Sequence, residues 1–129
     1  MNNFKVLRGE ESWGLLNGTS LRAFVDADYY DLKEIFGEPS SQEEGEKVSN
    51  QWTIDFGDGY LSIYDWKYYS THKAIVRCGR WHIGGKPEHE AQANELAEYI
   101  THKIKANIYD GNKGLIMPDS YKKALKSQL

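Results

Sequence analysis

The sequence predicts an α+β domain: a single antiparallel sheet with a short N-terminal helix and a longer C-terminal helix packed on one face. Three observations predict it. Residues 51–67, "QWTIDFGDGYLSIYDWK", alternate apolar and polar side chains on both sides of a glycine-rich turn, the pattern of a β-hairpin. Ala93, Leu96, Ala97, Ile100 and Ile104 recur at the spacing of one helix face. The elements run β, α, β-hairpin, β, α, which suits helices gathered on one side of an antiparallel sheet.

Each element has its own signals. "FKVLR" (4–8) is short and apolar enough for a strand or an ordered arm, and "GEESWGLLNGT" reads as a loop. In "SLRAFVDA" (20–27), Leu21, Ala23 and Val25 alternate against Arg22, Phe24 and Asp26, as in a strand. "DADYYDLKEIFGEP" reads as a short helix. Asp26 or Asp28 caps its start, Gly37 ends it, Pro39 prevents resumption, and Leu32, Ile35 and Phe36 form its buried face. "SSQEEGEKVSN" (40–50) is an acidic, aperiodic loop.

In the hairpin, a two-residue Asp58-Gly59 turn pairs Phe56 with Leu61 and Ile54 with Ile63. Trp52, Ile54, Phe56, Leu61 and Ile63 then share the core face. Thr53, Asp55, Tyr60, Ser62 and Tyr64 fall on the other. "KYYSTHK" is a connection, and "AIVRCGRWHI" (74–83) is the next strand, bulged at Gly79. Gly84 and Gly85 form a turn, and a helix runs from Pro87 to about Ala106. Glu88 and Glu90 near its start and Lys103 and Lys105 near its end suit the helix dipole. Residues 1–106 form one domain. Residues 107–129 are a C-terminal extension, a short helix or a tail.

Composition narrows the function. The 129 residues suit one domain, and a net charge of −3 disfavours nucleic-acid binding through a broad basic face. One cysteine excludes an internal disulfide and fits a reducing cytosol. The opening "MNNFK" lacks the apolar run of a signal peptide, and no stretch approaches the ~20 apolar residues that span a bilayer. The expectation is a soluble intracellular protein without membrane contact.

Motifs for catalysis are missing. The histidines, His72, His82, His89 and His102, show no HExxH spacing, so neither a metal nor another cofactor is expected. The two "THK" tripeptides fail the His-x-Thr/Ser phosphodiesterase pattern, because the hydroxyl residue precedes the histidine. P-loop, GxSxG and complete GxGxxG patterns do not occur. Cys78, placed mid-strand, reads as a structural thiol with no base in reach. No enzyme is expected.

Two binding sites are expected instead. The first is a protein-contact surface: the acidic loop with Glu43, Glu44 and Glu46, the hairpin face with Asp55, Tyr60 and Tyr64, and Tyr68 and Tyr69 beyond it. For the acidic run, a solvated loop is at least as good a reading. The second is an anion or nucleotide site built by Arg80, His82, Gly84, Gly85 and Lys86, with Trp66 or Trp81 stacking a base. An arrangement across a homodimer interface is one way to build it. A Gly-Gly turn also serves simply to change chain direction, and Glu88 and Glu90 oppose an anion, so that plainer reading is preferred.

As a set, "FVDADYYDLKEIFGEPS", "WTIDFGDGYLSIYDWK" and "WHIGG" followed by a helix resemble small bacteriophage-encoded proteins without an assigned activity. The resemblance covers about residues 20–105 and shares an F-x-D-G…I-Y-D-W…W-H-I-G-G pattern. It implies a phage protein acting in the cytoplasm of a host bacterial cell, and by analogy a counter-defence factor. Such a factor inhibits a host immune effector, for example a CRISPR nuclease complex, by binding it. Alternatively, it sequesters a cyclic or phosphorylated nucleotide signal.

Overall fold

The computed structural model describes residues 3–43 and 47–110. Among them are β1 (Lys5–Leu7), β2 (Ser20–Asp26), α1 (Tyr29–Phe36), β3 (Ser41–Gln42), β4 (Asn50–Asp55), β5 (Tyr60–Tyr64), α2 (Thr71–Arg77), β6 (Arg80–Gly85) and α3 (Glu90–Asp110). Short 3₁₀ turns occupy Gly9–Ser12 and Pro87–His89. The strands form a single antiparallel sheet in the order β1-β4-β5-β6-β2. β3 also pairs with β4, at Gln51 and Asn50, whereas β1 pairs at Asp55, Ile54 and Thr53. Ser40, just before β3, ties that segment to β1 and β4: its hydroxyl accepts the Thr53 N–H at 2.8 Å and donates to the Leu7 carbonyl. The expected α+β architecture is therefore present, with a long C-terminal helix.

One face of the sheet makes the core. Strand alternation brings Trp52, Ile54, Leu61, Ile63, Trp81, Ile83, Ala23 and Val25 together. Leu32 and Phe36 of α1, Ala74 of α2, and Ala93, Leu96 and Ile100 of α3 close over them. Buried indoles need partners for their N–H groups. Trp52 donates to the Gly37 carbonyl at 2.9 Å, and Trp81 to the Ala27 carbonyl at 3.1 Å. α1 starts and ends where the capping residues predict. The Asp31 carboxylate accepts the Asp28 N–H at 3.0 Å, and Gly37 ends the helix at a φ of 79°.

Three local expectations are corrected. Residues 71–77 are helical, so the strand expected over 74–83 begins only at Arg80. Ser70 caps this helix, its hydroxyl accepting the Lys73 N–H at 3.3 Å. Cys78 ends the helix instead of lying mid-strand. The hairpin register is two residues away from that of a two-residue turn: Ile54 faces Leu61, Trp52 faces Ile63, and Asp55 faces Tyr60. The Asp55 carboxylate accepts the Gly57 N–H at 2.8 Å and starts the turn early, Gly57 adopting a φ of 98°. A shift of two preserves the faces, but Phe56 leaves the strand and packs against His89, 5.0 Å between ring centroids. Finally, Gly84 and Gly85 are not a turn. Both are buried in β6, paired with Leu21 and Ser20 of β2.

α3 extends to Asp110, past the boundary expected at 106; residues 111–129 lie outside the described residues. No described helix is long and apolar enough to cross a membrane.

Candidate functional site

The face of the sheet turned away from the helices carries the site. Alternation places Gln51, Thr53 and Asp55 of β4, Tyr60, Ser62 and Tyr64 of β5, Arg80, His82 and Gly84 of β6, and Phe24 and Asp26 of β2 on this side. Such a face is ordinarily polar. Here three rings cluster around that of His82. Its ring centroid lies 4.9 Å from Phe24, 5.3 Å from Tyr64 and 5.8 Å from Trp66. Phe24 and Tyr64 meet it edge-on, whereas Trp66 stacks at 21°. Phe24 is 49% exposed and Trp66 40%, so the cluster is a surface platform and not a second core.

Burial among these rings holds the His82 pKa below the ordinary imidazole value and raises that of Tyr64. His82 is therefore neutral at pH 7.

Cations ring the platform. Arg80 pairs with Asp26 at 2.9 Å and lies 5.8 Å from the Phe24 ring centroid. The ammonium groups of Lys47 and Lys67 are each 5.9 Å from the Trp66 ring centroid. Neither lysine is in an ion pair with a described residue. The Lys67 N–H donates to the Lys47 carbonyl at 2.7 Å and joins the two segments. Lys67 has a φ of 65° and Tyr69 a φ of 55°. A side chain in that left-handed region costs roughly 1–3 kcal/mol, which the surrounding contacts must offset. Both residues belong to the loop that presents Trp66.

Beside Trp66 is a recess of about 200 Å³. Leu16, Val48, Tyr64 and Trp66 give it apolar walls, and Thr19, Ser20, Gln51 and Ser62 line it with polar groups. Gly84 forms part of it because a side chain there does not fit. An added Cβ would lie 2.7 Å from the Ser62 hydroxyl and 3.1 Å from the Tyr64 ring.

The residues expected from sequence are divided by this geometry. Tyr64, Arg80 and His82 meet on the platform, and Gly84 lines the adjoining recess. Asp55 and Tyr60 share the same sheet face nearer the hairpin turn, where the Asp55 carboxylate is engaged with Gly57. Tyr68 packs against the core, whereas Tyr69 is exposed. Glu43 is exposed, and Glu44 and Glu46 lie outside the described residues.

Gly84 and Gly85 do not form a turn that could cradle an anion, because both are paired with β2 inside the sheet. The Gly85 carbonyl accepts the Arg22 guanidinium at 3.2 Å, and Lys86 stands outside the strand on the following turn. Trp81 is fully buried and has no face free for a base. The sequence-based site omitted Phe24, Lys47 and Lys67 and treated Trp66 only as a stacking option. The signal for Phe24 was present: an aromatic residue between Arg22 and Asp26 on the polar side of an alternating strand. The lysines carried no such signal, because only the loop fold brings them together.

Cys78 does not compete as a site. It is buried, its thiol bonds to the Arg80 carbonyl at 3.3 Å, and burial pushes its pKa up to about 11. The thiol is therefore protonated at neutral pH. Asp65 is likewise structural: its buried carboxylate accepts the N–H groups of Ser49 and Asn50 and the Asn50 amide at 2.7–2.9 Å. Among the described residues no group of three metal-binding side chains converges. The chain matches no family model, no curated protein and no solved structure.

Proposed function

We propose that the protein is a non-enzymatic counter-defence factor of phage type. It inhibits a host immune effector in the bacterial cytoplasm, for example a CRISPR nuclease complex, by docking the open face of its sheet onto it. The observation that carries this reading is the exposed ring cluster of Phe24, Tyr64, Trp66 and His82 with Arg80 beside it. Aromatic residues and arginine supply most of the binding energy in protein interfaces, and they do so when clustered. The rings are already packed against one another, so docking orders few side chains. The phage origin and the identity of the target rest on the sequence resemblance.

The test is capture of host complexes by the tagged protein from infected cells, followed by binding measurements with the purified partner. Phe24→Ala is expected to weaken capture by about 2 kcal/mol, the scale of an interface hot spot, while the circular dichroism of the free protein is unchanged. Capture of no immune complex, or equal capture by wild type and variant, would sink the docking reading.

A further inference from the structure

We infer that the recess beside Trp66 binds one nucleotide unit, with its base in the recess and its phosphate on Lys47 and Lys67. The inference rests on the open sheet face being the contact surface, but not on the identity of any protein partner. Size is the first argument. At about 200 Å³ the recess falls below the roughly 300 Å³ at which pockets for drug-sized ligands begin, and suits a single planar ring system.

Chemistry is the second argument. A nucleobase presents apolar faces and a hydrogen-bonding edge. The recess offers the Trp66 ring and the aliphatic side chains of Leu16 and Val48 to the first, and Ser20, Ser62 and Gln51 to the second.

Charge is the third. The chain carries a net −3, yet the two cations nearest the Trp66 ring, Lys47 and Lys67, have no ion-pair partner among the described residues. A phosphate joined to the bound base would complement both ammonium groups. The backbone supports the same assignment. Lys67 is held at a φ of 65° by its hydrogen bond to Lys47, a conformation disfavoured for lysine that fixes the two chains' origins together. A free nucleotide and a nucleotide within a single strand share this chemistry, and the experiment separates them.

The full chain would be titrated calorimetrically with adenosine monophosphate, a cyclic dinucleotide and an oligothymidylate, with adenosine and inorganic phosphate as controls. Binding of at least one nucleotide probe is expected, tighter than either control. Lys47→Gln combined with Lys67→Asn should weaken it about tenfold or more. Both positions are exposed, and asparagine tolerates the left-handed backbone, so the fold is not at risk. Preference for the free nucleotides points to a soluble signal as the source, and preference for the oligonucleotide to a strand. For the latter, the double variant should flatten the slope of log affinity against log salt by about 1.4.

Failure of every probe to bind, or equal binding by the double variant, would overturn the inference. The two proposals fail separately: nucleotide binding without capture of an immune complex would sink the docking reading alone, and capture without binding of any nucleotide probe would overturn this inference alone.

Discussion

At the scale of single residues, His82 links the platform to pH. It touches all three neighbouring rings, and burial disfavours its charged form. The unfolded chain has an imidazole near the ordinary value of 6.5, above that of the folded protein. Between the two values the unfolded state binds more protons, so stability rises with pH through that window and falls on acidification. The thermal midpoint of wild type is therefore expected to drop more between pH 7 and pH 5 than that of His82→Gln. Identical drops would remove His82 as the cause. The groups around it are the Phe24, Tyr64 and Trp66 rings, with Arg80 against Phe24, and among the described residues no carboxylate favours its protonation.

At the scale of elements, what was legible in the sequence follows the strength of the local signal. β2, α1 and α3 each combine a periodic run with capping or turn residues; β2 and α1 form where expected, and α3 forms over the expected segment but starts at Glu90 and runs on to Asp110. α2 was hidden because Ala74, Ile75 and Val76 read as strand by propensity. The Ser70 cap and the burial of Ala74 against α1 and the sheet decide for helix. The hairpin faces were legible from alternation, whereas its register was not. Alternation has a period of two, so a two-residue shift leaves every face unchanged, and the Asp55 carboxylate bond to Gly57 selects the register. Asp65 plays a comparable part at the other end of β4. Asp65→Ala would leave the N–H groups of Ser49 and Asn50 buried without their acceptor, and should cost about 3 kcal/mol in denaturant unfolding. A loss below about 1 kcal/mol would mean that water replaces the carboxylate.

At the scale of the whole molecule, the sheet separates two tasks. Its inner face is closed by α1, α2 and α3 over Trp52 and Trp81, and its outer face is left to present rings and cations. Each strand contributes to both faces through alternate residues, so the platform has no stability of its own. Ile83 sits in the core between His82 and Gly84, and Ile63 between Ser62 and Tyr64. That coupling explains why much of the site was legible once the strands were, and why the loop lysines were not. It also makes a prediction about cooperativity. Leu96→Ala, at a fully buried α3 position far in sequence from the platform, removes packing worth about 2–5 kcal/mol. Far-ultraviolet circular dichroism of the backbone and solvent quenching of Trp66 in a Trp13→Phe background should then shift to lower denaturant together. Coincident transitions are what a single cooperative unit requires. An earlier, separate transition for Trp66 would show that the platform melts independently of the core, and that the packed face does not hold the binding face in place.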